Sequence, residues 1–189
     1  MHVPTSSRKA SSPQDPPVLG FLSALQADGA IVGGYLLLNA AARPLEFHCT
    51  APVRPTRAQE ILYGPTLEPF LYGEQIGGAL VAKTKLKPVC IFTDTALMLS
   101  ARTIQDTPLA CLASTNSESF FLGDCQAYVA KGHSADISAV QATWDKLEDF
   151  DVQEPFTRIR EALQEVGSAS RPARSASEPQ DAAKARRAA

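Results

Sequence analysis

RPLEFHCTAPVRPTRAQEILYGPTLEPFLYGEQIGGALVAKT, Arg43 to Thr84, decides the fold, because it carries the chain from a strand into a long helical segment. From Pro44 to Thr50 apolar and polar residues alternate, so Leu45, Phe47 and Cys49 share one face and Glu46, His48 and Thr50 the other. That is the pattern of a half-buried strand, with the histidine on its open face. Pro52 and Pro55 stop the strand, since neither can donate to a ladder. Thr56 and Gln59 then have the spacing of a capping box ahead of Ile61-Leu62-Tyr63, and Gly64-Pro65 breaks the short helix that follows. Thr66 is placed to cap a second helix running to about Thr84, with Phe70, Gly73, Gly77, Leu80 and Val81 on one face. Two glycines on that face permit close approach to a sheet.

Upstream, the apolar run Val18 to Leu25, the turn signal Asp28-Gly29 and the run Ile31 to Leu38 predict a hairpin. With Leu45 to Thr50 it makes a three-stranded antiparallel meander. Downstream, Pro88 to Asp94 and Leu109 to Ala113 are nearly continuous apolar runs, as expected of strands covered on both faces. A helix capped by Thr95 and passing through Leu97, Met98 and Ala101 joins them, which predicts two parallel strands with a right-handed crossover. Between 117 and 133 the pattern is weak: Phe120-Phe121-Leu122 reads as an edge strand or loop, and Cys125 to Lys131 as a helical turn or loop. Two amphipathic helices close the fold. One, behind Ser134, carries Ile137, Val140, Trp144 and Leu147; the other, opened by Pro155 and closed by Gly167, carries Phe156, Ile159, Leu163 and Val166.

With 189 residues, 44% of them apolar, the chain is long enough for one well-filled domain, placed at 17–167. The flanking stretches 1–16 and 168–189 are rich in Ser, Pro, Ala and charge and are expected to be disordered tails, the second with a basic character. A net charge of -2 makes no general case for nucleic acid or for an anionic membrane. No secretory signal and no spanning run is present, so a cytoplasmic protein without a membrane partner is expected. Cys49, Cys90, Cys111 and Cys125 have no paired spacing and read as reduced, buried thiols.

The resulting α/β architecture, with a mixed sheet of antiparallel meander plus two parallel strands and covering helices, resembles the ribonuclease H-like fold from about Val18 to Val166. Separately, the run RPLEFHCTAPVRPTRAQEILYGPTLEPFLYGEQIG resembles a signature of an uncharacterised family of planctomycete proteins, which implies no activity. Ribonuclease H-like enzymes hold two divalent metals on carboxylates of the first strand, the first helix, the fourth strand and the last helix, to position an attacking water. The resemblance places Asp94 at the fourth strand, Glu60 or Glu74 on the first helix, and Asp145 or Glu148 on the last. The first strand departs from the pattern, offering Leu22-Ser23-Ala24 where an aspartate belongs.

Other chemistry finds little support. His48 and Cys49 are neighbours on a strand and point to opposite faces, so they form no thiolate dyad, and the dispersed His and Cys residues give no zinc pair. Gly33-Gly34 and Gly77-Gly78 belong to no phosphate-binding pattern and suggest tight packing. What remains is a non-enzymatic binding or scaffold module with a protein partner and no cofactor, its partner surface at Tyr63, Phe70, Tyr72 and Glu74. The alternative is a metal-dependent nuclease or phosphoryl-transfer enzyme needing Mg or Mn and acting through Asp94, Glu60, Glu74 and Asp145. A small ligand, if bound, is expected in a cleft at the carboxyl ends of the parallel strands, lined by Asp94, Thr95, Ser114, Thr115 and Asn116.

Overall fold

The computed structural model describes residues 17–112, 119–147 and 150–169. Its centre is the predicted meander: β1 (Leu19–Ala27), β2 (Ala30–Leu38) and β3 (Pro44–Cys49), antiparallel in sequence order. The β1–β2 turn is Asp28-Gly29, both in the left-handed region at φ 51° and 70°, the geometry whose twist suits a two-residue hairpin. β4 (Cys90–Thr93) pairs in parallel with β1, and β5 (Leu109–Cys111) in parallel with β4. The sheet order is β3-β2-β1-β4-β5, then the strands Cys125–Val129 and Phe120–Leu122.

The last two strands were only half legible. Phe120–Leu122 is indeed an edge strand, β6, but Cys125–Val129 is strand β7 and not a helical turn. Gly123, at φ 58°, turns the chain back after two residues, and β7 then pairs antiparallel with β5. Ala127 and Tyr128 are buried there on opposite faces, each within one of the two core layers.

Between β3 and β4 the capping box of Thr56 and Gln59 forms with both reciprocal bonds and opens α1 (Arg57–Tyr63). Pro65 lies in a 3₁₀ turn (Gly64–Thr66), and one helical rod, α2, follows: an α turn (Leu67–Pro69), a π-helical stretch (Phe70–Gly77) and a further α segment (Gly78–Lys83). The Thr66 hydroxyl donates back to the Tyr63 carbonyl and caps nothing. The buried stripe is Leu71, Tyr72, Gly73, Ile76 and Gly77, continued by Leu80; the expected Gly73, Gly77 and Leu80 are on it, while Phe70 and Val81 are only half-buried. A 3₁₀ helix, α3 (Ala96–Thr103), crosses from β4 to β5, and α4 (Ala135–Trp144) and α5 (Glu154–Ala169) end the fold, α5 running past Gly167.

These elements make three layers. Leu22, Ile31, Tyr35 and Ile91 on one sheet face pack on Ile76 and Leu80 of α2 and Met98 of α3. Phe21, Leu36 and Phe92 on the other meet Val140 of α4 and Phe156, Ile159 and Leu163 of α5. Gly33 and Gly34 are what brings helices onto both faces of β2. A Cβ on Gly33 would collide with Ile76, and one on Gly34 would lie 2.6 Å from Ile159 Cγ2. Because α5 packs over β1 and β2, the face of β3 expected to be inward is left open, with Leu45 42% and Phe47 37% exposed. Glu46 and His48, expected on the open face, are the more covered pair.

Candidate functional site

β1 and β4 run side by side with Leu22 opposite Thr93, so the residue after each pair, Ser23 and Asp94, falls at the same level. Side chains alternate, and both turn to the face that α5 covers. The Ser23 hydroxyl, 1% exposed at the residue level, donates to Asp94 Oδ2 at 3.0 Å. From α5, one turn before the buried Leu163, Arg160 Nη1 donates to the same oxygen at 2.7 Å, while its Nη2 donates to Thr157 Oγ1 at 3.3 Å. Asp94 Oδ1 accepts the Thr95 hydroxyl at 3.1 Å. Thr95 stands at the start of α3 as expected, but its hydroxyl caps Asp94 and not the helix. First strand, fourth strand and last helix therefore converge on one carboxylate.

The other carboxylates do not join it. Glu60 pairs with Arg57 at 2.8 Å on the exposed face of α1, Glu74 is exposed on the π-helical stretch, and Asp145 is an exposed residue at the end of α4. Glu148 and the cleft residues Ser114, Thr115 and Asn116 lie outside the described residues. Among the described residues no three His, Cys, Asp or Glu side chains gather to hold a metal ion. The set present does not fit a two-metal centre: Ser23 stands on the first strand and a cation on the last helix, where carboxylates are needed.

The surface proposed around Tyr63 is also rearranged. Tyr63 and Phe70 stack on each other with centroids 4.4 Å apart. Tyr72 is core, 9% exposed, with its hydroxyl 3.5 Å from Gln26 Oε1. Burial raises the Tyr72 pKa, as expected for a phenol taken from water.

His48 is tied to Glu46 at 2.9 Å, and this bond, with the Lys85 and Leu86 N–H groups, holds the Glu46 carboxyl below its ordinary pKa. The pair therefore joins β3 to the connection after α2. Cys49, Cys90, Cys111 and Cys125 form no disulfide; Cys90 and Cys111 are buried, whereas Cys49 and Cys125 are only half-buried, against expectation. A cleft of about 640 Å³ lies between α3 and the β7–α4 connection, lined by Leu99, Tyr128, Lys131, His133 and Ile137. It sits toward the amino end of β5, and its described lining includes neither Asp94 nor Thr95 of the predicted cleft. No helix among the described residues is long and apolar enough to cross a membrane.

No protein-family model matches the sequence, and no curated protein does. Among solved structures the chain is similar to endonuclease V of Bacillus subtilis, with a TM-score of 0.54 at 8% identity over 82% of this chain and 87% of that one. It is also similar to two structures of Ciona intestinalis endonuclease V in complex with DNA containing an inosine followed by a ribo-adenosine. Their TM-scores are both 0.36, at 16% and 15% identity over 57% and 72% of this chain. The chain spans about half of the first, 49%, and 64% of the second. The fold is thus α/β and ribonuclease H-like, as the element order implied. The expectation of a non-enzymatic scaffold is corrected: the fold is shared with a nuclease, and the supposed partner surface gives its central tyrosine to the core.

Proposed function

We propose that this chain acts on nucleic acid as a nuclease or related phosphoryl-transfer enzyme of the ribonuclease H-like type, engaging a phosphodiester where Asp94, Ser23 and Arg160 meet. The observation that carries this reading is the place of Asp94. It is a carboxylate at the carboxyl end of a parallel strand, beside the first strand of the sheet, where open α/β sheets present their ligands. The likeness to a protein described as endonuclease V supports the same substrate class.

The residues present suit a phosphodiester in two ways. Arg160, with 41% of its side chain exposed, has guanidinium N–H groups left to meet non-bridging oxygens, and its planar fork matches their spacing. Asp94 remains 21% exposed, enough to accept a hydrogen bond from an attacking water or hydroxyl and orient it. Ser23, buried beneath, fixes the carboxylate and does not reach the substrate. The overall charge of -2 leaves affinity to such local cations, so binding should be weak and salt-dependent.

The test is cleavage of end-labelled single- and double-stranded DNA and RNA, one DNA strand carrying deoxyinosine, in parallel buffers with Mg²⁺, Mn²⁺ and EDTA. Wild-type protein is expected to cut at least one substrate and Asp94→Asn to abolish the product. Folded wild-type protein that leaves every strand intact in every buffer would sink the reading.

A further inference from the structure

In the ribonuclease H-like arrangement, carboxylates of the first strand, fourth strand and last helix surround divalent ions. Here the same three elements bring a hydroxyl, a carboxylate and a guanidinium within hydrogen-bonding distance. Asp94 Oδ2 accepts from both Ser23 and Arg160, which uses its two lone-pair directions, and Oδ1 accepts from Thr95. A divalent ion on this carboxylate would have to displace Arg160 and then share the edge with its positive charge.

We infer that Arg160 is the resident cation of this edge, standing in for a divalent ion and keeping one out. The edge then meets a phosphate through a guanidinium, and replacing Arg160 by an acid opens a cation site that wild-type protein lacks. The inference concerns the same site as the nuclease reading but needs no reaction to hold. Arg160 lies on the partly exposed side of α5, so an acidic side chain there is compatible with the packed stripe of Phe156, Ile159 and Leu163. Position 23 is buried, which makes Ser23→Asp the harsher change and Arg160→Glu the one to examine first.

The experiment is a Mn²⁺ titration of wild type, Arg160→Glu, Ser23→Asp/Arg160→Glu and Asp94→Asn/Arg160→Glu, following the loss of the free-ion electron paramagnetic resonance signal. Circular dichroism establishes that each variant is folded. Arg160→Glu is expected to bind Mn²⁺ at least about tenfold more tightly than wild type, because the ligand charge count sets such affinities. The folded double variant should bind more tightly again, and Asp94→Asn should cancel the gain. Wild-type protein binding Mn²⁺ through Asp94 as tightly as Arg160→Glu would overturn the inference, as would a folded Arg160→Glu that gains nothing. Neither result depends on nucleic acid, so the inference and the nuclease reading can fail separately.

Discussion

Asp94→Ala should destabilise the fold through the hydroxyl it strands more than through the ion pair it breaks. The pair with Arg160 is 41% exposed on the arginine side, so solvent screens it and its loss costs about 0–1 kcal/mol. Ser23 is different. Its residue is 1% exposed, and a buried hydroxyl deprived of its partner costs roughly 1–3 kcal/mol. Together the loss is on the order of 1–4 kcal/mol, read as a lower urea midpoint with an unchanged slope. The decisive comparison is a double-mutant cycle. Ser23→Ala in the Asp94→Ala background removes the stranded hydroxyl, so the double variant should be no less stable than Asp94→Ala alone, with a coupling of about 1–3 kcal/mol. Independent, additive losses would refute the assignment of Ser23 as the support of this carboxylate.

Three further outcomes test the frame around the site. Gly34→Ala puts a methyl 2.6 Å from Ile159 Cγ2 and 3.2 Å from Leu163 Cδ1, and should cost about 1–3 kcal/mol by overpacking α5 on β2, seen as a lower calorimetric Tm. Asp136, 4% exposed, accepts two bonds from Arg102 and the Leu109 N–H, so Asp136→Ala should cost about 3–5 kcal/mol in urea unfolding, whereas Glu60→Ala, at the exposed Arg57 pair, should cost under about 1 kcal/mol. Burial pushes the Cys90 thiol from its ordinary value of 9.0 up to about 12 and also raises the Tyr35 phenol. Both are favoured protonated in the fold; the Cys90 contribution is full below pH 9 and is lost as pH climbs toward 12, and that of Tyr35 begins to fall only above pH 10. Cys90 alone gives a slope of up to about 1.4 kcal/mol per pH unit, which Cys90→Ala should remove from urea midpoints measured across that window.

Local chemistry was enough for the meander, the β4–β5 crossover, the capping box and the two closing helices. Each rests on neighbours in sequence: the left-handed pair at Asp28-Gly29, the reciprocal bonds of Thr56 and Gln59, the stripe of Phe156, Ile159 and Leu163. The π winding was not legible, because Phe70 to Gly77 looks helical at either period; Gly73 within it lies where Ser100 and Ala101 of α3 come close. The same holds for β7, whose five residues acquire their period only beside β5. The inversion of β3 is again tertiary. Alternation placed Leu45 and Phe47 on one face, but whether that face is covered depends on how far α5 reaches.

Asp94 was marked by its position after an apolar strand, whereas Ser23 entered only as the place where the first strand lacks an aspartate. Arg160 carried no such mark, since an ion pair spanning 66 residues leaves no periodic or motif signal. Sequence by itself determined the order and type of most elements, because those depend on interactions within a turn or a hairpin. Only the tertiary structure decided that the carboxylate at the sheet edge faces a hydroxyl and a guanidinium in place of further carboxylates, because that convergence is set by helix packing across the sheet.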